Sequence, residues 1–363
     1  MATDTTPAVD ERVARESLFK QIMKRPELGA MAGLVLVTIF FLLTADPAMF
    51  TLSGILNFLT PAAQLGLLGI AAAMLMIGGE FDLSIGSMVA FAGMVFGART
   101  VNYGLPLIAA IPLTMIVAAS IGAINGNIVL RTGLPSFIVT LASLFMLRGL
   151  SLVGLKYLTG GSTQLRGVRE AVEDDFLTPF FSGEAFQGLF TWLAERGLVE
   201  TFKNGAPKGP GVPIEILWFI LMAAVATWIL LRTPVGNWIF ASGGDKLAAS
   251  NSGVPVRTVK ISLFMVTACA ATLLAVITVI DAGSTDARRG FQKEFEAIIA
   301  AVIGGALLTG GYGSAIGAFF GAIIFGMVVI GLTYTDFDQD WFQVFLGAML
   351  LLAVFCKNAI RKR

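Results

Sequence analysis

The sequence predicts an all-α integral membrane protein of about ten transmembrane helices, and three observations carry that prediction. Of its 363 residues 56% are hydrophobic and only 13% are charged, about half the charge fraction of soluble domains. The mean hydropathy is +0.82, which leaves too little polar surface for a large water-exposed domain. Runs of about 20 apolar residues recur from Leu28 to Phe355, each long enough to cross a hydrocarbon core of about 30 Å.

Residues 1–27 come first and alternate acids with bases: Asp10, Glu11, Arg12, Arg15, Glu16, Lys20, Lys24 and Arg25. They lack the short apolar core and small-residue cleavage site of a signal peptide and read as a cytoplasmic tail. The apolar runs follow at 28–45, 53–77, 83–98, 105–130, 136–156, 213–232, 259–280, 294–309, 313–332 and 341–356. Breaks at Asp46-Pro47, Gly104-Leu105-Pro106, Gly133-Leu134-Pro135, Pro213 and Pro234 separate several of them. The third and eighth are short, as half-helices or tilted helices would be. Residues 157–212 form the longest polar segment, with an acidic cluster at Glu170–Asp175 and an apolar patch at Phe186–Leu193. Residues 357–363 form a basic tail.

An even number of spans puts both termini on one side, and the bases choose which. Arg131, Arg232, Lys246, Arg257, Lys260 and both tails fall on the terminal side, whereas Asp46, Glu170, Asp281, Asp286 and Asp336 fall opposite. The positive-inside rule then gives an N-in, C-in topology, with 157–212 outside and 233–258 inside.

Glycine recurs at helix-packing spacing in Gly93/Gly97, Gly122/Gly126 and Gly313/Gly317/Gly321, which read as close helix contacts. A weak internal repeat also appears. Gly78-Gly79 followed by Gly86-Ser87 echoes Gly304-Gly305 followed by Gly313-Ser314, in each case a pair ending one helix and a pair opening the next. These glycines read as structural hinges, and the span count makes the two copies parallel.

The composition excludes several function classes. There is no histidine, which removes the commonest zinc ligand and general base, and no metal site is expected. Cys269 and Cys356 lie in apolar runs and read as buried small hydrophobes. No P-loop, nucleophile-elbow, zincin or dinucleotide fingerprint occurs, so the chain does not read as an enzyme. Its external bases are too few and too mixed with acids for nucleic acid.

Polar residues inside the apolar runs are the candidate solute pathway: Asp82, Asn57, Gln64, Asn125, Thr140 and Ser143. Each also fits a plainer role, satisfying a neighbouring helix. For Asp82 and Ser84 that role is capping the third span. Glu80 has no assigned role. Arg148 needs a partner if buried, or snorkels to the outer interface beside Lys156. On the inner side, Trp238-Ile239-Phe240 reads as a strand-like lead-in to a short helix capped by Asp245 and stopped at Gly253. This element suits either docking to a soluble partner or an ordinary surface loop.

Four segments in order resemble the permease subunits of bacterial ATP-binding-cassette importers for simple sugars of the ribose, xylose, arabinose and galactose type. The first is Gly78-Gly79-Glu80-Phe81-Asp82-Leu83-Ser84-Ile85-Gly86-Ser87, with one residue more before the aspartate than the family pattern. The second comprises Asn125-Gly126, Gly133-Leu134-Pro135, Phe137-Ile138, Thr140-Leu141 and Arg148-Gly149. The third runs from Ala241-Ser242-Gly243-Gly244 through Ala248 and Ser252-Gly253-Val254 to Val259-Lys260. The fourth runs from Glu294 to Gly305 and continues in Gly310-Gly311-Tyr312-Gly313-Ser314.

The resemblance implies a polytopic permease domain over 28–356 in the bacterial inner membrane. It implies a second permease copy, as a homodimer or a heterodimer with a sister permease, two ATPase subunits and a periplasmic sugar-binding protein. ATP and Mg would sit on the ATPase, with no cofactor on this chain. Residues 233–258 would be the coupling segment, with Ser242, Gly243, Gly244, Asp245, Lys246, Ala248, Ala249, Ser252 and Gly253 as its contact set. Nucleosides or branched-chain amino acids are the alternative cargo, and a stand-alone secondary transporter is the alternative class.

Overall fold

The computed structural model describes residues 26–203 and 205–361, so nearly all of the tail read over 1–27 lies outside the described residues. In chain order the helices are α1 (Pro26–Thr44), α2 (Leu52–Ile77), α3 (Ile85–Gly97), α4 (Leu107–Thr132) and α5 (Ser136–Thr159). Three short ones follow, α6 (Val168–Val172), α7 (Thr178–Phe181) and α8 (Gln187–Glu195). Then come α9 (Ile214–Arg232), α10 (Pro234–Gly244), α11 (Lys246–Asn251), α12 (Val256–Ala282), α13 (Lys293–Ile303), α14 (Ala315–Gly331) and α15 (Trp341–Arg361).

Among the described residues, seven helices are long and apolar enough to cross a membrane: α1, α2, α4, α5, α9, α12 and α14. Helices α3 and α13 have only 13 and 11 residues, in keeping with the short third and eighth runs. Helix α15 continues to Arg361, so the boundary expected at 357 falls inside a helix. The chain is mostly helical, as an all-α fold class implies, with two short ribbons added. Strand β1 (Gln164–Arg166) pairs antiparallel with β4 (Ser284–Asp286), and β2 (Glu184–Ala185) pairs with β3 (Val212–Pro213). The polar stretch between α5 and α9 lacks a long apolar run, and its backbone groups find partners across these ribbons instead.

Local chemistry explains the helix starts. Thr51 accepts the Gly54 amide and caps α2. Helix α4 begins after Pro106, which offers no side-chain acceptor, and Asp175 from the acidic cluster supplies one by accepting the Leu107 amide at 2.7 Å. That carboxylate sits at the positive end of the helix dipole, a structural use for part of the cluster. Pro61 within α2 and Pro112 within α4 are tolerated because surrounding helices compensate for the lost backbone bond.

Helix α2 forms the axis of the bundle, packed by α14, α13, α9 and α12, while α12 also carries α4 and α3. Leu65, Leu67, Leu68, Ile70 and Leu75 of α2 are fully buried. The glycine pair on α4 is a packing device, as its spacing predicts: a Cβ at Gly122 would come within 2.9 Å of the Met265 Cα on α12. The bundle has two distinct ends. One carries the ribbons, where Gly97 at the end of α3 meets Leu165 and Thr285. The other carries α10, α11 and the glycine pairs that end α2 and α13.

Candidate functional site

Both glycine pairs end their helices in the same way. After α2, Gly79 donates to the Met76 carbonyl and Glu80 to the Leu75 carbonyl; after α13, Gly305 donates to Val302 and Ala306 to Ala301. This paired bonding is the Schellman stop, and its penultimate residue is left-handed: φ is 80° at Gly79 and 96° at Gly305, where only glycine is unstrained. The repeat seen in the sequence is therefore a repeat of conformation at the helix stops. The helix starts differ. Ser314 caps α14 through the Gly317 amide, whereas Gly86-Ser87 lies inside the first turn of α3.

Gly243 on α10 packs against these stops. Gly311 donates to the Ile77 carbonyl at 2.8 Å, and Gly243 is wedged beside this bond. A Cβ at Gly243 would overlap the Ile77 carbonyl oxygen and come within 2.7 Å of the Gly311 nitrogen. Built on Gly310, a Cβ would likewise meet the Gly79 Cα at 2.7 Å. The backbones of α2, α10 and the loop after α13 thus meet at one point with no side chain between them. Beside it, Lys260 Nζ lies 2.6 Å from Glu80 Oε1, and the two side chains are only 6% and 13% exposed. Glu80, unassigned from sequence, forms a buried ion pair with the start of α12.

Four of the six pathway candidates converge near α3. Asp82 accepts from the Ser84 amide at 2.8 Å, the Ser84 hydroxyl at 2.5 Å and the Thr267 hydroxyl at 2.5 Å. Asn125 donates to Ser84 Oγ and accepts from Ser143, while Thr140 accepts the Leu83 amide and Ser136 the Phe81 amide. Every side chain named in this network is buried, so it holds the chain between α2 and α3 against α4, α5 and α12. Ser84 stands at the N-cap position but makes no capping bond with its side chain, and Asp82 accepts the amide of Ser84 rather than one from the first turn of α3, so the expected cap is not formed. The other two candidates lie elsewhere. Gln64 bonds Glu215 at 3.4 Å. Asn57 bonds Tyr334 and helps line a cavity of about 390 Å3 at the ribbon end, with Glu184, Glu200 and Lys208. Burial, with repulsion from Asp281 and Glu215, pushes the Glu184 carboxyl above its usual range.

The segment between α9 and α12 is built of two helices, α10 and α11, separated at Asp245. The strand-like lead-in expected around Trp238–Phe240 is corrected to helix α10, because Thr233 caps it and Pro234 occupies its first position. Asp245 caps α11 by accepting the Leu247 and Ala248 amides, as the sequence predicts. Gly253 stops α11 with φ 82° and the same paired bonding, Gly253 to Ser250 and Val254 to Ala249. Asp245, Lys246, Ala248, Ser252 and Gly253 face outward together with Gly244, whereas Ser242 and Ala249 are buried and Gly243 is half-buried in the backbone junction. Among the described residues no group of three acids or cysteines is placed to hold a metal ion.

Residues 54–354 match the family model described as the permease component of branched-chain amino acid transport systems. The chain belongs to this permease family. The xylose transport system permease protein XylH of Escherichia coli K12 is 30% identical over 92% of both chains. The ribose import permease protein RbsC of the same strain is 29% identical over 89% of this chain and 91% of its own. The inner membrane ABC transporter permease protein YjfF is 28% identical over 90% of each. No solved structure matches the chain.

Sequence reasoning about the permease missed two groups and left the partner of Arg148 open. Leu247, at the tip of α11, is 75% exposed, an apolar side chain presented to solvent beside Lys246. Thr267 and Ser136 complete the Asp82 network, yet a lone hydroxyl in an apolar helix gives no signal without its partner. Arg148 lies 3.7 Å from Glu294 and 4.8 Å from the Phe291 ring centre, so its partner is intramolecular and it does not rise to Lys156.

Because Asp82 accepts three hydrogen bonds in a buried setting, Asp82→Ala is expected to destabilise the permease by about 3 kcal/mol, since a buried hydrogen bond contributes roughly 0.5–1.5 kcal/mol net. Thermal unfolding in detergent measures this. An unchanged melting temperature with altered solute selectivity would instead place Asp82 on the solute path.

Proposed function

We propose that the permease forms the membrane pathway of an ATP-driven importer for a monosaccharide or related polyol. The observation that carries this reading is the similarity, over about nine-tenths of each chain, to permeases named for xylose and ribose. The ten apolar segments lie in the bacterial inner membrane, α3 and α13 as half-helices, with both termini and residues 233–258 in the cytoplasm and the ribbon end in the periplasm. Support for this orientation comes from the bases near the glycine end, Arg131, Arg232, Lys246 and Arg257, set against the acids of the ribbon end.

Helices α10 and α11 dock on a separate ATPase, which holds ATP and Mg. The exposed Leu247 and the capped, rigid α11 suit insertion into a groove of that partner. A push on α11 reaches α2 and the loop after α13 directly, through the backbone contacts at Gly243. A periplasmic binding protein delivers solute at the opposite end, and a second permease copy, identical or a sister chain, completes the pathway.

Reconstitution tests the proposal. In liposomes holding the permease, its ATPase and its binding protein, uptake of D-xylose or D-ribose is expected only when all three proteins and ATP are present. Uptake by the permease alone would overturn the ATP-driven reading. Competition by leucine or adenosine, but not by pentoses, would move the cargo to the amino acids or nucleosides.

A further inference from the structure

Of the pathway candidates read from sequence, four form a sealed network, Asn57 sits at the ribbon end and Gln64 is tied to Glu215, so the solute path needs another wall. A different polar surface lies at mid-depth. Arg148 is the thirteenth of the 24 residues of α5, which places it about 18 Å from Ser136 and about 17 Å from Thr159 along the helix. Its partner Glu294 opens α13 and packs against Gly86, where a Cβ would overlap Glu294 Oε2. Gly86 is in turn about 17 Å along α3 from Gly97, which touches the external ribbon. Two independent helices thus put Glu294 near the middle of the bundle.

The chain reaches this depth from β4 without helix. Residues 287–292 run in turns from the ribbon to Lys293, and Gly290 packs against Val89 and the Gly86 carbonyl. Non-helical backbone at membrane depth is tolerated only where protein buries it or it lines a water-filled cavity. Here the side chains are partly open. Phe291 and Phe295 are 46% and 52% exposed, and Gln292 is exposed beside them. Lys293 and Glu296 pair at 2.6 Å, with side chains 31% and 16% exposed. Among the described residues neither Arg148 Nη2 nor Glu294 Oε2 has a hydrogen-bond partner. Elsewhere at this depth α5 shows lipid-compatible side chains, Met146 and Leu150, turned about 160° around the helix from Arg148.

We propose that Arg148, Phe291, Gln292, Lys293, Phe295 and Glu296 form the solute-facing wall of the translocation pathway. The inference rests on the importer reading above and names where in the permease the solute passes. Charged side chains at mid-membrane almost always face the bundle interior or a water-filled cavity rather than lipid. Their chemistry fits a polyhydroxylated solute. A guanidinium whose side chain is 26% exposed, an amide, an ammonium and a carboxylate supply donors and acceptors for hydroxyls. Two phenylalanine faces offer the apolar contact that a sugar ring's C–H face accepts. The opposed charges of Lys293 and Glu296 leave the wall near neutral, which suits an uncharged cargo that must also be released.

The test uses the complete transporter in liposomes, with both native cysteines replaced (Cys269→Ala, Cys356→Ala). Single cysteines are introduced as Gln292→Cys, Phe295→Cys, Met146→Cys and Leu150→Cys and treated with a cationic, membrane-impermeant methanethiosulfonate. The first two are expected to react at least ten-fold faster than the last two, and the adduct at 292 to block D-xylose and D-ribose uptake. Equal rates at all four positions, or full uptake after modification at 292, would overturn the proposal. If the unmodified transporter moves neither pentose while the labelling difference persists, the sugar reading fails and the pathway assignment stands.

Discussion

Lys260→Met is expected to lower the unfolding free energy of the permease in detergent by about 3–5 kcal/mol, the usual cost of leaving one member of a buried ion pair without its partner. Glu80 is the group left behind, 13% exposed at the end of α2, with Lys260 Nζ 2.6 Å away in the intact chain. The double variant Glu80→Gln/Lys260→Met removes both charges and is expected to recover most of that loss. Equal instability of single and double variants would assign the effect to lost packing rather than to stranded charge. Because the pair joins the end of α2 to the start of α12, the single variants are also expected to weaken coupling between ATP hydrolysis and uptake.

Gly243→Ala is the second substitution with a large expected effect. One methyl group there collides with backbone on two sides, the Ile77 carbonyl and the Gly311 amide, and neither can swing away as a side chain would. Overpacking of this kind costs about 1–3 kcal/mol, and here it also breaks the Gly311–Ile77 hydrogen bond. Transport is expected to fall more than ten-fold. Gly244→Ala provides the control, since a Cβ at that position meets nothing within 4 Å. A permease that tolerates both changes equally would have no tight junction at Gly243.

The helices were legible because hydropathy integrates over many residues. Each of the ten apolar runs carries a helix, although the eighth stops at Ile303 while its run continues to 309, and the shortness of α3 and α13 shows in the length of their runs. Turn chemistry was legible where one residue decides it, as at Asp245 and Gly253. What escaped depends on tertiary pairing. Strands β1 and β4 have three residues each and no periodicity, so nothing marks them until they meet. The three-residue run at Trp238–Phe240 looks strand-like, yet the cap at Thr233 two turns earlier decides the conformation. Polar residues in apolar helices were visible, but not whether they face a path or one another. Asn125 and Ser143 bond each other, whereas Lys293 and Glu296, overlooked as pathway candidates, remain partly open.

The central position of α2 also bears on how the permease is made. Its neighbours α9, α12, α13 and α14 begin between Ile214 and Ala315, far downstream of its own end at Ile77. At about 5–20 residues per second, synthesis from Ile77 to Ala315 takes roughly 10–50 s. Through that interval Gln64 has no Glu215 to bond at first, Glu80 no Lys260, and the Ile77 carbonyl no Gly311. The helix at the heart of the finished bundle therefore enters the bilayer early and is enclosed late. A nascent permease carries its most polar contacts unpaired among lipids until the last third of the chain arrives.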